Sequence, residues 1–582
     1  MRGAYIVDEQ DDSTIKQVSI PASLNRRDLG IVILSLLCSL WIEKRYPEEQ
    51  PVIVRRKCWT ALVRNAFLAV TVVLALGVRL PANAQSHGTS AARPGVIVDR
   101  ETVYEMDERD ASVHWVASTA DGRHFALVIN EKDKQQIYHD GVQGPRFEKI
   151  VYVEMHPESG LLAYIGVEKN DLHVYVNDAP LGRFVRFDDS ITFSPDGERY
   201  LFLGVKKGSL FDKDLAALGG AFGTNVVAVL DGVSKKYDAI TGLTSAYFSN
   251  DGSLCGYSAR KGKTRYVVIN NDKGRGYEQT AAGPVFSEDG RHYAYAGYRH
   301  DTAYVVVDGV ERGGYTYVGE IALSADGAQV AYSAQINFDK YLIVDDRQIG
   351  PFQSAREPVF SPDGRVVACV VQKDSLMHAL IDSTCSPGYA GVSIIVFCPG
   401  GTRYAYSVIT TADEDASSLQ HMVVDGVPQS AFSYAYVNTF RFSDDCRRTA
   451  YVGGIDSLRQ VAVIDGNIGT EYRHIWPPVF APGGGSVAYT AQCADEQYCV
   501  VRDGKESSRF ALASLPVFSP DGSHLAYFAL DRGSWKLFLD ESVVDLYGKP
   551  ALFAPRFTDD RTVVVLSAVG QRTVSRITAA VQ

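Results

Sequence analysis

From about residue 100 onward, short apolar runs alternate with turn residues, and no helical period competes with them. The stretch 284–319 shows the unit. It reads PVFS, RHYAYAG, AYVVVDG and GYTYVG, four strand-like runs separated by turn residues. Runs of this length, rich in Val, Tyr and Phe and bounded by Gly, Asp and Pro, predict four short β-strands. The AYAG run is apolar on both faces, as expected of a strand in a sheet covered on each side by another sheet.

The unit repeats. PVFSPDG stands at 358–364 and again at 516–522, and related copies occur as TFSPDGERYLFLG (192–204), YFSNDGSLCGYSA (247–259) and ALSADGAQVAYSA (322–334). Degraded copies, VFCPGGTRYAYSV (396–408), RFSDDCRRTAYVG (441–453) and VFAPGGGSVAYTA (479–491), each lose two letters of the turn. Twelve copies can be aligned, mostly 36 to 39 residues apart, with longer intervals of 55 residues after Asp196 and 45 after Pro399. The seven letters encode a tight turn. Gly takes positive φ, Asp accepts neighbouring backbone N–H groups, and Pro presets φ. That explanation also accounts for the repeated Asp196, Asp289, Asp363 and Asp521 better than a calcium site does. A period of this length built from four strands predicts an all-β chain, a β-propeller array of about twelve four-stranded blades.

Propellers usually hold four to eight blades, so the simplest partition is two six-bladed propellers, 101–355 and 356–582. Against it, the last copy ends with three strands, while ETVYEM (101–106) precedes the first copy as an orphan strand. If that strand completes the last blade, nested rings or one large ring follow.

The S-P-D-G turn followed three residues later by Ala-Tyr resembles the TolB-type propeller repeats, a WD-repeat-like group. It is also similar to the propeller domains of prolyl oligopeptidases. The resemblance covers about residues 100–582. It implies the fold and leaves function open, because such blades serve scaffolds, sensors and enzyme caps. Six-bladed rings are what the TolB-type resemblance implies.

Ahead of the repeats, residues 1–84 read as a leader. Arg55, Arg56 and Lys57 precede the apolar run AFLAVTVVLALGV (66–78), and ANA (82–84) is a small-x-small cleavage site. This is the pattern of a secretory signal peptide over about 54–84. Its distance from Met1 suggests a start near Val52 or Val54, with 1–51 upstream of the true protein. The rival expectation keeps 61–80 as an uncleaved membrane anchor. Cleavage would leave a periplasmic or secreted protein with no membrane span. Hydrophobic residues make up 46% and charged residues 22%, and the formal net charge of −11 speaks against a nucleic-acid backbone as partner.

No catalytic motif is present. The sequence lacks a G-x-S-x-G elbow, an H-E-x-x-H pair, paired C-x-x-C motifs and an EF-hand loop, so no catalytic, metal or cofactor residues are expected. His114, His139, His173, His292, His300 and His524 look scattered over dissimilar positions of different blades. Cys255 and Cys369 stand where other copies place packed residues, and are expected in the core. Cys493 and Cys499 flank a short loop, and an oxidising compartment would permit a hairpin disulfide there.

The candidate function lies in loops. The long intervals insert KKGSLFDKDLAALGGAFGTN (206–225) and TADEDASSLQ (411–420), both between second and third strands. Phe211, Leu215, Leu218 and Phe222 would form an apolar contact, and Asp413, Glu414 and Asp415 an acidic one. The expectation is an exported, non-catalytic protein that binds or scaffolds a protein, peptide or glycan of the cell envelope. The alternatives are a hydrolase or lyase with its site at a ring axis, and a membrane-anchored sensor domain.

Overall fold

The computed structural model describes residues 96–582, apart from 107–110, 188–190, 207–225, 242–246, 411–418, 553 and 570–571. The described residues all fall within one compact unit, 89–582. The leader, the signal peptide and the candidate start lie outside the described residues. The unit is nearly all β. Its described residues include one short 3-10 turn, Pro482–Gly484, inside the degraded turn of the tenth copy.

Each copy but the last forms an antiparallel meander of four strands. In blade 1 these are Ala111–Ser118, Phe125–Glu131, Lys134–His139 and Val142–Phe147. In blade 6 they are Tyr317–Leu323, Val330–Ile336, Asp339–Val344 and Arg347–Phe352. The second strand is the most buried, as its two-sided apolar pattern predicts: Val330 to Ala334 are all enclosed. Blades 2 and 3 share a strand, Ala179–Phe187, which pairs with both sheets.

The turn between first and second strands is a small hydrogen-bonded unit. In blade 7 the Ser361 hydroxyl donates to Asp363 Oδ1 at 2.6 Å and accepts the Val366 N–H at 2.9 Å. Asp363 Oδ1 also accepts the Arg365 N–H, and Gly364 sits at φ +70° with its N–H on the Ser361 carbonyl. The Ser–Asp bond recurs at Ser194–Asp196, Ser249–Asp251, Ser287–Asp289, Ser324–Asp326, Ser443–Asp445 and Ser519–Asp521. Turn formation is what these carboxylates do.

A second repeated contact packs blade on blade. The fourth strand ends in an aromatic residue that lies on the second strand of the next blade. Tyr277 meets Tyr295 and Tyr472 meets Tyr489 edge to face. Where that next strand carries Gly, the ring lies over it: a Cβ on Gly166 would fall 2.2 Å from the Phe147 ring, and one on Gly297 2.4 Å from the Tyr277 ring.

The first strands of blades 5, 6 and 7 touch one another in succession, which makes them the inner edge. Many are kinked. Blades 10 and 11 split theirs into two-residue pieces around Pro477–Pro478 and Pro516, whose missing N–H groups break the ladder.

Apolar clusters join every blade to the next. Ala331, Leu342 and Val344 of blade 6 pack on Ala355, Val367 and Cys369 of blade 7. At the far end, Leu566 and Val574 of blade 12 pack on Phe125, Leu127 and Ile129 of blade 1. The succession of junctions therefore closes on itself. The division expected between 355 and 356 falls inside the strand Ser354–Phe360, and packing continues across it as across the other junctions. Two separate six-bladed rings would instead bring blade 6 against blade 1 and blade 7 against blade 12.

Val96–Glu105 pairs antiparallel with Thr573–Val581 and supplies the outer strand of blade 12. The orphan strand seen in the sequence thus completes the last blade, and both ends of the repeat region meet in one sheet.

Candidate functional site

In an antiparallel meander, the first-to-second and third-to-fourth turns emerge at one end of the sheet. The second-to-third connections and the links to the next blade emerge at the other. The two faces differ sharply in chemistry.

The first face is uniform. Beside the Ser–Asp turns, an Asp of the third-to-fourth turn (Asn177 and Asn270 in blades 2 and 4) accepts a backbone N–H from the start of the second strand, as Asp308 does from Tyr293 and Asp425 from Tyr404. Its other oxygen takes a side chain from the residue just before. His124, His292 and His524 fill this position opposite Asp140, Asp308 and Asp540, at 2.7, 2.7 and 2.6 Å. The scattering of the histidines is therefore corrected: these three share one repeat position and one partner type. Arg199, Arg403 and Arg448 take the same place in other blades, and their guanidinium groups reach on to carbonyl oxygens of the following blade's turn, such as Ser253, Cys446 and Gly484. Hydrogen bonds recur over this face, and Val142, Val233, Val310, Val427 and Ile468, next to the third-to-fourth turns, are exposed on it.

The second face is irregular. Several second-to-third connections are two-residue turns, such as His300–Asp301 and Arg532–Gly533, but those of blades 3, 8, 9 and 10 are longer. Blade 6 presents Phe338 at its turn, 94% exposed, and blade 9 presents Leu458, 63% exposed. The candidate contacts Phe211, Leu215, Leu218, Phe222, Asp413, Glu414 and Asp415 lie outside the described residues. Their flanking strands, Tyr200–Lys206 with Val226–Leu230 and Tyr404–Thr410 with Leu419–Val424, are second and third strands.

Cys493 and Cys499 sit across the base of the blade 10 connection, buried, with sulfurs 3.6 Å apart and unbonded. The bond that does form joins Cys398 to Cys446, at the turns of blades 8 and 9. Elsewhere the turn Gly of one blade rests on the turn Ser or Asp of the blade before, as Gly290 does on Asp251. Cys398 replaces that Ser and Cys446 replaces that Gly, so two substitutions in successive copies meet. The sequence signal was this paired departure from the repeat. Cys255 and Cys369 are buried in blade cores, and burial pushes both thiols up to about 12.

A cavity of about 800 Å³ opens between blades 10 and 11 on the irregular face. Arg509, Phe510, Lys536, Phe538 and Asp545 line it, with Arg532 at its rim. Arg509 is held at 2.7 Å by Asp495, whose carboxyl the guanidinium draws below its usual range. Lys536 donates to Asp531 at 2.7 Å. Nothing in the repeat motif announces this cavity.

Toward the inner edge, the exposed side chains of first strands are mixed: Trp115, Val151, Arg356, Arg441, Leu515 and Arg556. Among the described residues, no three His, Cys, Asp or Glu side chains cluster as metal ligands. No helix of the described residues is long and apolar enough to cross a membrane.

The chain matches no protein-family model, and no curated protein matches it. Solved structures, a β-propeller domain among them, are similar to it at low identity. A eukaryotic initiation factor shares 11% identity over 69% of this chain and 97% of its own, with a TM-score of 0.34. The β-propeller domain of the Trilobed protease from Pyrococcus furiosus shares 14% over 44% of this chain and 92% of its own, with a TM-score of 0.24. TolB from Acinetobacter baumannii shares 15% over 46% of this chain and 76% of its own, with a TM-score of 0.21. Likenesses at this level carry no argument about activity or partner.

Proposed function

We propose that the protein is an exported, non-catalytic propeller of TolB-like type that binds a protein or peptide partner of the cell envelope. The carrying observation is the contrast between the faces. One carries the repeated turn bonds, while the other bears the longer described connections of blades 9 and 10 together with exposed Phe338 and Leu458. Loops held on a rigid scaffold and free of internal duties are where binding surfaces are built. Isolated apolar groups such as Phe338 are suited to the centre of an interface, where burial of aromatic side chains contributes most.

The test is cross-linked capture from envelope extract, with a variant lacking 208–223 and a Phe338→Ser variant as controls. A defined partner enriched by the intact protein and lost with either change supports the reading. A folded protein that enriches nothing above background, or a partner indifferent to both changes, overturns it.

A further inference from the structure

Blade 11 differs from blades 5 and 6 at two facing positions. Four residues before the third-to-fourth turn Asp, blades 5 and 6 carry Tyr304 and Tyr341, whereas blade 11 carries Lys536. Five residues after that Asp, blades 5 and 6 carry Gly313 and Gly350, whereas blade 11 carries Asp545. Strand pairing differs as well. The third and fourth strands of blades 5 and 6 pair with a register shift. In blade 11 they pair regularly, and Lys536 stands directly opposite Asp545. The closing position of that strand is reached one residue sooner, with the Leu546 N–H on the Trp535 carbonyl. Where blade 6 packs Tyr341 against Gly350, blade 11 sets two charged residues facing the cavity.

From the charges and shape of that void we infer that the cavity between blades 10 and 11 is a binding site for a short peptide of two or three residues bearing a large apolar side chain. Its volume of about 800 Å³ is in the range of small-ligand pockets. Phe510 and Phe538, with ring centroids 4.9 Å apart, give one apolar wall. Arg509 on the blade 10 side spends one N–H on Asp495 and Arg532 at the rim lies 4.0 Å from Asp531, but a guanidinium carries five N–H donors, which leaves each able to reach a terminal carboxylate as well. Asp531 is taken by Lys536, while Asp545, on the opposite strand, offers a carboxylate for a terminal ammonium. Both termini of a peptide and its side chain find a complement within one cavity. Its ligand is independent of the larger partner proposed above, because blades 10 and 11 lie apart in the chain from the 208–223 insertion in blade 3.

The experiment is calorimetric titration of the full chain with the tripeptide Gly-Phe-Gly. Its C-terminal amide, its N-acetyl form and Gly-Gly-Gly serve as comparison probes. The expected result is saturable binding of Gly-Phe-Gly, weakened at least about tenfold by amidation, acetylation or loss of the ring, one lost interaction of about 1.4 kcal/mol corresponding to a factor of ten. Arg509→Gln and Asp545→Asn should each cause a similar loss, and Arg532→Gln, at an exposed rim position, supplies a variant that leaves the fold alone. A variant lacking 208–223 should bind the tripeptide normally, which separates this site from the partner-binding face. Absence of saturable binding, or binding indifferent to the termini and to these substitutions, overturns the inference.

Discussion

Cys398 of blade 8 is bonded to Cys446 of blade 9, 48 residues further on, at the place where other blades rest a turn Gly on a turn Ser or Asp. A covalent tie replaces a van der Waals contact at one junction. Closing a loop of this length is worth at most about 4 kcal/mol on a chain-entropy account. Reductant should therefore lower the thermal midpoint of the intact protein, and the Cys398→Ser, Cys446→Gly double variant should show no reductant effect. Alkylation of denatured, unreduced protein should label Cys255, Cys369, Cys385, Cys493 and Cys499 and spare Cys398 and Cys446. Labelling of both turn cysteines would remove the bond from the description.

Acid should weaken the turns in a defined window. The Ser519 hydroxyl, then the Ser523 N–H and hydroxyl, hold the Asp521 carboxyl down to about 2 from its ordinary 3.8. The Ser361 hydroxyl lowers Asp363 in the same way, and the Ser443 hydroxyl lowers Asp445. A carboxylate with a depressed folded pKa binds fewer protons folded than unfolded. Its stabilising effect is complete above the unfolded value and drains away as pH falls from about 4 towards 2. Denaturant midpoints should be insensitive to these groups near neutrality and fall in that window. Carboxyl NMR should show Asp521 titrating near the lower end, and Ser519→Ala should move it up. An Asp521 that titrates at the ordinary value in the folded protein would defeat this account.

How much of this could be read from the sequence depends on how local each interaction is. The Ser-x-Asp-Gly turn closes within a few residues, so its letters announce it, and the second strand of each blade followed from its apolar pattern. The outer strand at 96–105 was legible as a leftover because the last copy was one strand short. Contacts between copies were harder. Cys398 and Cys446 looked like two unrelated degraded turns until their blades were stacked, whereas Cys493 and Cys499, close in sequence, invited a bond that is not there. The cavity beside Asp545 depends on a register difference between two strands, which no single residue encodes. The candidate contacts at 206–225 and 411–420 remain with the sequence, since Phe211 and Asp413 among them fall outside the described residues.

The Tyr277 ring lies over Gly297 of the following blade, where a Cβ would come within 2.4 Å of it. Gly297→Ala should destabilise the protein by about 1–3 kcal/mol, the usual penalty for overpacking an interior contact. The test is a double-mutant cycle with Tyr277→Ala measured by denaturant unfolding. With the ring removed, the alanine should cost far less, giving a coupling energy above about 1 kcal/mol. Additive effects would show that the ring and the glycine are not in contact.

Closure of the last blade rests on Val96–Glu105, which pairs with Thr573–Val581 from Val96 opposite Val581 to Glu105 opposite Thr573. Val96 joins Val565, Ile577 and Ala579 in one apolar cluster. Arg576 fastens the seam from the other side, with an ion pair to Glu101 at 2.7 Å and hydrogen bonds to the Gly122 carbonyl in blade 1 at 3.1 and 2.8 Å. Starting the chain at residue 107 should leave Thr573–Val581 as an unpaired edge with its apolar face uncovered, a recognised route to aggregation. The truncated protein is expected to associate and to unfold at lower denaturant than the chain that keeps the strand. A synthetic peptide of residues 96–106, added in trans, should restore the midpoint by strand addition. In the intact protein, hydrogen exchange should protect amides of 96–105 and 573–581 to similar extents, because one sheet opens as a unit. A truncated chain that stays monomeric, keeps its midpoint and ignores the peptide would show that blade 12 closes without this strand.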